Sequence, residues 1–250
     1  MSSHAGPLAL VGGDEFRKGN EPHDQLLSEA AAGRPAYLIA TAARDHPEAA
    51  VATARRWFAR LGVDMQELRV RTPAEARSPA NVEAVAGTGL LYIAGGDPGR
   101  VANVLRDSPV WNAMRRAWRE GCALAGSSAG AMALCQWTLV RRGFPGHTER
   151  RPVDALGLLP GSALLPHFET FGHRWIPSAQ ETLGRDALLI GIDERTAGLW
   201  HDGTWRVMGA GSVTLIRRDR RDVFASGSVV AGLPQPGFEQ PEAATRHTSV

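Results

Sequence analysis

The sequence of 250 residues contains only two cysteines, Cys122 and Cys135. They form neither a C-x-x-C pair nor another spacing typical of a metal site, which argues against a zinc ribbon or a disulfide framework. A chain of this length buries about three-quarters of the surface that it exposes when unfolded, so its core needs no disulfide or metal. We therefore predict reduced, buried thiols, as in a cytoplasmic protein, and we expect no metal and no cofactor.

Long apolar runs are also absent. No stretch approaches the roughly 20 apolar residues that a membrane-spanning helix needs. The first residues, MSSHAGPLALVGGDEF, lack the basic and apolar segments of a secretory leader. The two signs of charge are also nearly balanced, because 28 Lys and Arg against 26 Asp and Glu leave a net charge of only +2. With no basic run, the sequence predicts neither a membrane nor a nucleic-acid partner, and it favours a cytoplasmic location.

Short apolar segments alternate with helical patterns over the first half of the chain. Five of these segments have the length and composition of buried strands: Leu8–Val11 and residues 36–40, 65–70, 89–94 and 122–125. One helix is predicted over residues 47–61, where Pro47 suits the first turn. Another begins with Ser108 as N-cap and Pro109 as first helical residue. The alternation predicts an α/β protein with a mostly parallel, doubly wound sheet.

Past Pro166 the apolar segments are closer together and are separated by tight turns. Four of them are Leu188–Ile192 and residues 198–200, 205–208 and 212–216. We interpret them as an antiparallel C-terminal extension of the same sheet. No linker or internal repeat interrupts the chain, so residues 1–231 are predicted to form a single domain. Residues 232–250 are rich in proline and polar side chains, and a partly disordered tail is expected there.

Small side chains surround two adjacent serines in ALAGSSAGAMAL, residues 123–134. Within this stretch GSSAG matches G-x-S-x-G, the nucleophile elbow, in which a serine lies on a sharp turn from strand to helix. The residues two positions before and after that serine, Gly126 and Gly130, must lack side chains for the turn to form. Free N–H groups at the helix N-terminus can stabilise an oxyanion. P-loop and Rossmann fingerprints are absent, so the pattern predicts Ser128 as a nucleophile.

A serine nucleophile needs a base, and the base needs an acid that orients it. His167 follows an apolar segment and so would lie at the C-terminal edge of the sheet, where catalytic side chains of open α/β sheets collect. Asp154, Asp193 and Glu194 are candidates for the acid. The last two follow Leu188–Ile192, and because successive side chains on a strand point to opposite faces, only one of them can face the site.

Four segments, in this order along the chain, resemble the S51 serine peptidases, the family of aspartyl dipeptidase (peptidase E) and cyanophycinase. They are GGD at residues 95–97, GSSAGA at 126–131, LGLLPG at 156–161 with PHF at 166–168, and GIDERTA at 191–197. The resemblance extends from Leu8 to about Val223. It implies a flavodoxin-like or class I glutamine amidotransferase-like fold, and a peptidase whose partner is a small peptide substrate.

The resemblance implies Ser128 as nucleophile, His167 as base and Glu194 as the acid, in preference to Asp193. Asp154 stays an alternative, because peptidase E takes its acid from between the serine and the histidine. The order serine, histidine, acid differs from that of the α/β-hydrolases. A serine also stands where class I glutamine amidotransferases have a cysteine, so ammonia transfer from glutamine is not expected.

The resemblance also implies that the backbone amides of Gly96 and Ala129 bind the oxyanion, and Asp97 is expected to contribute to substrate binding. Two positions depart from the family pattern. Pro98 stands where cyanophycinases tend to have glutamine, and of an R-x-R pair after His-Phe only Arg174 is present. We therefore expect a short peptide substrate, not polymeric cyanophycin, with Arg174 as a candidate partner for an acidic residue.

A second function class is a catalytically inactive, amidotransferase-like binding or regulatory domain. The complete set of Ser128, His167 and Glu194 favours the enzyme. The sequence does not define the oligomeric state, and a homodimer is compatible with it.

Overall fold

The computed structural model describes residues 5–142 and 149–237, and the structural statements below refer to these ranges. The helices are α1 (Glu21–Ala31), α2 (Pro47–Ala59), α3 (Pro79–Val85), α4 (Pro98–Leu105), α5 (Pro109–Arg119), α6 (Ala129–Leu134) and α7 (Ile176–Leu183). Every one of them except α6 has a proline in its first two positions. A proline costs no hydrogen bond there, because the first N–H groups of a helix have no partner within it.

The strands are short and, as the sequence predicts, most are buried. They are β1 (Leu8–Val11), β2 (Ala36–Ile39), β3 (Met65–Glu67), β4 (Leu90–Ile93), β5 (Ala123–Ser127), β6 (Cys135–Arg141), β7 (Arg150–Asp154), β8 (Leu159–Leu165), β9 (Leu188–Ile192), β10 (Thr196–His201), β11 (Thr204–Gly209), β12 (Ser212–Arg217) and β13 (Arg220–Ala225).

The first sheet has the order β11-β10-β1-β5-β4-β2-β3. Five of its strands run parallel, in the order β1-β5-β4-β2-β3. At the other edge, β10 pairs antiparallel with β1 and with β11. Side chains such as Leu27 of α1 and Phe58 of α2 pack on one face, and Trp111 and Met114 of α5 pack on the other. The predicted α/β class with a doubly wound, mostly parallel sheet is confirmed.

A second sheet has the order β13-β12-β9-β8-β6-β7. The expectation that all four late segments extend the first sheet is therefore wrong for two of them. Only β10 and β11 do so, whereas β9 pairs parallel with β8, and β12 pairs antiparallel with β9. The physical reason is that the chain leaves the first sheet after β5, and β6, which directly follows α6, starts a second sheet in which it pairs parallel with β8. Apolar side chains of both sheets, including Leu10 and Ile190, share one core cluster.

The first residues of the predicted tail are packed against the protein. Trp205 Nε1 donates to the Pro234 carbonyl at 3.0 Å, and the Gly237 amide donates to the Leu158 carbonyl at 2.9 Å. The rest of that predicted segment, residues 238–250, lies outside the described residues. Within the described ranges, no helix has the length and apolar character needed to cross a membrane.

Candidate active site

Ser128 lies on a strained turn between β5 and α6. Its backbone has φ 46° and ψ −109°, a conformation that residues other than glycine rarely adopt. A Cβ atom at Gly126 would lie 2.6 Å from the Gly130 carbonyl carbon, and one at Gly130 would lie 2.2 Å from the Ile93 carbonyl oxygen. Both positions therefore require glycine. The Ser128 amide donates to the Val11 carbonyl at 2.9 Å, which ties the turn to the end of β1.

His167 lies within hydrogen-bond distance of both Ser128 and an acidic side chain. Its Nε2 atom is 3.2 Å from Ser128 Oγ, and its Nδ1 atom is 2.7 Å from Glu194 Oε1. The ring of Phe171 stacks on the imidazole at a centroid distance of 4.8 Å. Gly13 also lies against the imidazole and has room only for a glycine, because a Cβ atom there would lie 2.3 Å from His167 Cε1. A proton on Nδ1, directed at the carboxylate, leaves Nε2 free to accept one from the serine hydroxyl.

The other two candidate acids have different partners. Asp193 Oδ2 accepts hydrogen bonds from the Ser212 amide at 2.9 Å and from its hydroxyl at 2.7 Å, which fixes the start of β12. The Asp154 side chain is 75% exposed and lies 3.7 Å from Arg106. Of the three candidates, Glu194 is the one that the structure brings to His167.

Glu169 supports the segment that carries Glu194. Its carboxylate accepts from the Glu194 amide at 3.0 and 3.1 Å. Burial raises the pKa of Glu169 above its ordinary value, and the neighbouring charge of Asp193 raises it further. The hydrogen bond from the amide acts in the opposite direction.

Two backbone amides near Ser128 are available to a ligand. Among the described residues, no acceptor is recorded for the N–H of Gly96, which lines the cavity beside Ser128, or for that of Ala129, the first residue of α6. Gly96 has φ +136°, and a Cβ atom there would lie 2.3 Å from the Ala42 carbonyl oxygen, so this position also requires glycine.

Asp97 lines the same cavity, but its carboxylate has partners within the protein. Oδ1 accepts from the Arg100 amide at 3.1 Å and caps α4, while Oδ2 forms an ion pair with Arg44. Its amide donates to the Ala42 carbonyl at 2.9 Å. The contacts of Asp97 therefore include its own helix and a cavity arginine.

The cavity beside Ser128 and His167 has a volume of about 1210 Å³ and is rich in arginine. We call it the arginine-lined cavity. Its arginines are Arg44, Arg71, Arg100, Arg141, Arg150 and Arg151, and its acidic residues are Asp45 and Asp97. Arg174, the arginine singled out in the sequence, is exposed and is not among the residues that line it. The structure therefore does not bring Arg174 to this cavity.

Arg150 is a partly buried arginine of the cavity, and no ion pair is recorded for it among the described residues. Its guanidinium lies 3.9 Å from the centroid of the Trp175 ring, and its buried Nε atom has no hydrogen-bond partner among the described residues. The β6–β7 register places Arg141 directly opposite. The pKa of Arg150 is lowered to about 10, mainly by burial and to a smaller extent by the charge of Arg141, while the charge of Asp97 acts in the opposite direction. An anion bound here would restore the missing partner.

The sequence patterns single out neither Arg150 nor Glu15, a residue that lies beside the nucleophile turn. The position of Glu15 shortly after the buried strand β1 is the one indication that the sequence carries, since functional side chains collect at that edge of a parallel sheet. Arg150 lies on an edge strand in an arginine-rich stretch and has no comparable indication. In the described part of the chain, no group of three or more His, Cys, Asp or Glu side chains is arranged to hold a metal ion.

Comparison with known proteins identifies the family. The model of peptidase family S51 matches residues 8–208. Cyanophycinase from Nostoc sp. (strain PCC 7120 / SAG 25.82 / UTEX 2576) is 30% identical over 219 residues, which cover 84% of this chain and 72% of the relative. Cyanophycinase from Synechococcus elongatus is 29% identical over 243 residues, which cover 94% of this chain and 74% of the relative.

Solved structures give the same result. A peptidase from an acI-B1 actinobacterium superposes with a TM-score of 0.79 at 29% identity, covering 92% of this chain and 98% of that one. A putative peptidase E protein from Listeria monocytogenes EGD-e superposes with a TM-score of 0.55 at 15% identity, covering 88% and 98%, and supports the fold alone. Since the family model matches most of the sequence, the chain belongs to peptidase family S51 and is a cyanophycinase-like hydrolase.

Proposed function

We propose that this chain is a serine peptidase that hydrolyses short peptides or peptide-like amides through Ser128, His167 and Glu194. The observation that carries the proposal is the continuous hydrogen-bonded chain from the serine hydroxyl through the imidazole to the carboxylate, at the wall of an open cavity. Nucleophilic catalysis by serine requires this arrangement, in which the base is within reach of the hydroxyl and is itself oriented by an acid.

In the first half of the reaction, Ser128 Oγ attacks the carbonyl carbon of the substrate. His167 Nε2 takes the hydroxyl proton as the new C–O bond forms, and the carbonyl electron pair moves onto the substrate oxygen. The amides of Gly96 and Ala129 donate hydrogen bonds to that oxyanion, each worth roughly 3–4 kcal/mol of transition-state stabilisation. Glu194 stabilises the imidazolium that results.

The tetrahedral intermediate then collapses. His167 gives its proton to the leaving nitrogen, the C–N bond breaks, and the acyl group stays on Ser128. A water molecule enters, His167 accepts one of its protons, and the hydroxide attacks the acyl carbon. Release of the carboxylic acid returns the proton to Ser128 and restores the free enzyme.

The charge of the arginine-lined cavity favours a substrate with negative charge near the scissile bond. Six arginines but only two acidic side chains line this cavity, and one of the two acids, Asp97, already forms an ion pair with Arg44. Arg150, with a buried Nε that has no partner in the described ranges, is the arginine best prepared to bind a carboxylate. The same positive charge disfavours cyanophycin, a polyaspartate chain that carries arginines.

Labelling with a fluorophosphonate probe tests the serine chemistry. We expect the wild-type chain to be modified at Ser128 and the Ser128→Ala variant to stay unmodified, with both proteins folded as judged by circular dichroism. Hydrolysis of a dipeptide library should depend on Ser128 in the same way. A wild-type protein that neither reacts with the probe nor cleaves any member of the library would support the binding-domain alternative instead.

A substrate comparison tests the proposed acidic preference. We expect hydrolysis of Asp-containing dipeptides to exceed that of neutral dipeptides and of cyanophycin. Arg150→Gln should raise the KM for acidic dipeptides by roughly 10-fold or more, as expected for the loss of a hydrogen bond between charged groups. Arg174→Gln serves as the matched control outside the cavity. If only the Arg174 variant loses the preference, or if the wild type efficiently releases β-Asp-Arg from the polymer, this assignment is wrong.

A further inference from the structure

The last residue of β1 and the loop after it contact each of the segments that carry the three proposed catalytic residues. Carbonyl groups of residues 11–13 accept hydrogen bonds from the amides of Ser128, His167 and Arg195, at 2.9, 2.7 and 2.9 Å. Arg195 directly follows Glu194 in the chain. The segments that hold the nucleophile, the base and the acid are therefore all hydrogen-bonded to three consecutive residues at the end of β1.

Glu15, in the same loop, joins two further segments through its side chain. Its Oε1 accepts from the Gly95 amide at 3.0 Å, and its Oε2 accepts from Ser127 Oγ at 2.9 Å. Gly95 precedes Gly96, whose amide is a proposed oxyanion donor, and Ser127 precedes Ser128. One carboxylate thus connects the two backbone segments whose separation decides whether the oxyanion donor and the nucleophile fit the same substrate carbonyl.

We propose that Glu15 is a positioning residue for the oxyanion hole of this enzyme. It acts through Gly95 and Ser127, holding the Gly96 amide at a fixed distance from Ser128 Oγ. The inference rests on the proposed serine mechanism and adds to it a residue that touches neither the substrate nor the reacting atoms.

The chemistry of the two partners explains why a carboxylate suits this place. The Gly95 N–H can only donate a hydrogen bond, and the Ser127 hydroxyl donates one here as well, so the two oxygens of the carboxylate serve as the two acceptors. Among the residues that the structure describes, no ion pair involves Glu15. Its carboxylate is therefore held by these polar contacts and not by a neighbouring cation.

The backbone around Glu15 is also held in place. Asp14 and Phe16, on either side, have φ angles of 54° and 60°, in the left-handed region that residues other than glycine seldom occupy. Phe16 is buried, with its ring 5.9 Å from that of Phe58 and 5.0 Å from that of Tyr92. This packing fixes the direction in which the Glu15 side chain leaves the loop.

Three variants of the full chain separate positioning from simple stabilisation. Glu15→Ala removes both acceptors. Glu15→Gln is the conservative change, since its amide oxygen can accept from the Gly95 N–H while its NH₂ group donates to Ser127 Oγ with the hydroxyl reversed. Ser127→Ala removes only the link to the nucleophile turn. Glu21→Ala removes an exposed carboxylate from the start of α1 and is the matched control.

The measurement is the second-order rate constant for modification of Ser128 by a fluorophosphonate, corrected for the fraction of folded protein. We expect Glu15→Ala to lower it by about 10²-fold, the loss typical of a misplaced oxyanion donor. The rate constant of Glu15→Gln should stay within about 10-fold of the wild-type value, and that of Glu21→Ala should equal the wild-type value. Ser127→Ala combined with Glu15→Ala should lose no more than Glu15→Ala alone, because both changes break the same connection.

The outcomes are distinct. Folded Glu15→Ala protein that reacts at the wild-type rate overturns the positioning role while leaving the serine mechanism intact. If Glu15→Ala does not fold, Ser127→Ala decides, and a folded Ser127→Ala protein that reacts at the wild-type rate overturns it equally. If the wild type itself is not modified at Ser128, the proposed serine mechanism fails, and the role of Glu15 fails with it.

Discussion

Replacing Glu194 with glutamine is the most informative single test of the proposed triad. Glutamine has nearly the same shape as glutamate, so the change removes the negative charge beside His167 with little effect on packing. The side chains of His167 and Glu194 are 20% and 26% exposed, and the Nδ1–Oε1 distance is 2.7 Å. The pair is thus close and partly shielded from water, and the charge of the acid should matter when the imidazole becomes positive.

The size of the effect follows from that geometry. Two unit charges about 4 Å apart interact with about 4 kcal/mol at an effective dielectric constant of 20. Loss of this stabilisation in the transition state corresponds to about 10³-fold in rate, since about 1.4 kcal/mol is tenfold. The glutamine NH₂ group can also donate to Nδ1 and hold the imidazole in the wrong tautomer, which brings the expected loss to about 10⁴-fold.

The assay compares Glu194→Gln with Asp193→Asn, its neighbour in sequence. We expect kcat and the rate of fluorophosphonate labelling to fall 10³- to 10⁴-fold in the first variant. In the second, the asparagine oxygen still accepts from Ser212, and the rate should change by less than about threefold. With both proteins folded, a larger loss in Asp193→Asn, or a Glu194→Gln rate within about tenfold of wild type, would refute the assignment of the acid.

Two further predictions concern Gly13, which lies beside His167, and Asp24, which is buried in the protein. Gly13→Ala should lower the rate of Ser128 labelling by about 10²-fold or more because its Cβ would collide with the His167 ring. Gly62→Ala, which also has a positive φ (+77°) but open space, should cost only about 1–2 kcal/mol of stability. Burial raises the pKa of Asp24 from 3.8 to about 8. Between these two pH values its carboxyl is protonated in the folded state and ionised in the unfolded state. Its contribution to the free energy of unfolding therefore falls as the pH rises from about 4 to about 8. Asp24→Asn should remove this dependence, worth roughly 4 kcal/mol between pH 5 and pH 8, which urea denaturation at the two pH values would measure.

Local patterns predict much of the first sheet and the nucleophile turn. The strand β1 has the bounds predicted from its apolar residues, and Ser108 caps α5 through its side chain at 3.1 Å from the Trp111 amide. The glycines at 126 and 130 are needed for the reason that the motif implies, because their neighbours leave no room for a Cβ atom. Such features depend on residues close in sequence, and composition and spacing therefore report them.

Features that depend on distant pairings were not predictable in the same way. The alternation of strands and helices does not determine that β9 pairs with β8 in a second sheet instead of extending the first. The same limit applies to the arginines. Arg174 is close in sequence to His167 but is exposed, whereas Arg150 reaches the cavity because β7 folds back on β6 and its guanidinium stacks on Trp175. Proximity in sequence to a proposed catalytic residue is thus a weak guide to which charged side chain lines the cavity.

The division of the fold into two sheets has a consequence for the catalytic geometry. Ser128 follows β5 of the first sheet, whereas His167 and Glu194 follow β8 and β9 of the second. Their alignment therefore depends on how the two sheets pack, and on the hydrogen bonds by which the loop after β1 holds the His167 segment. Interiors are close-packed and transmit small shifts, so a cavity in the core shared by the sheets should alter the distance from the nucleophile to the base. In this fold, activity should respond to inter-sheet packing before the protein loses its folded state.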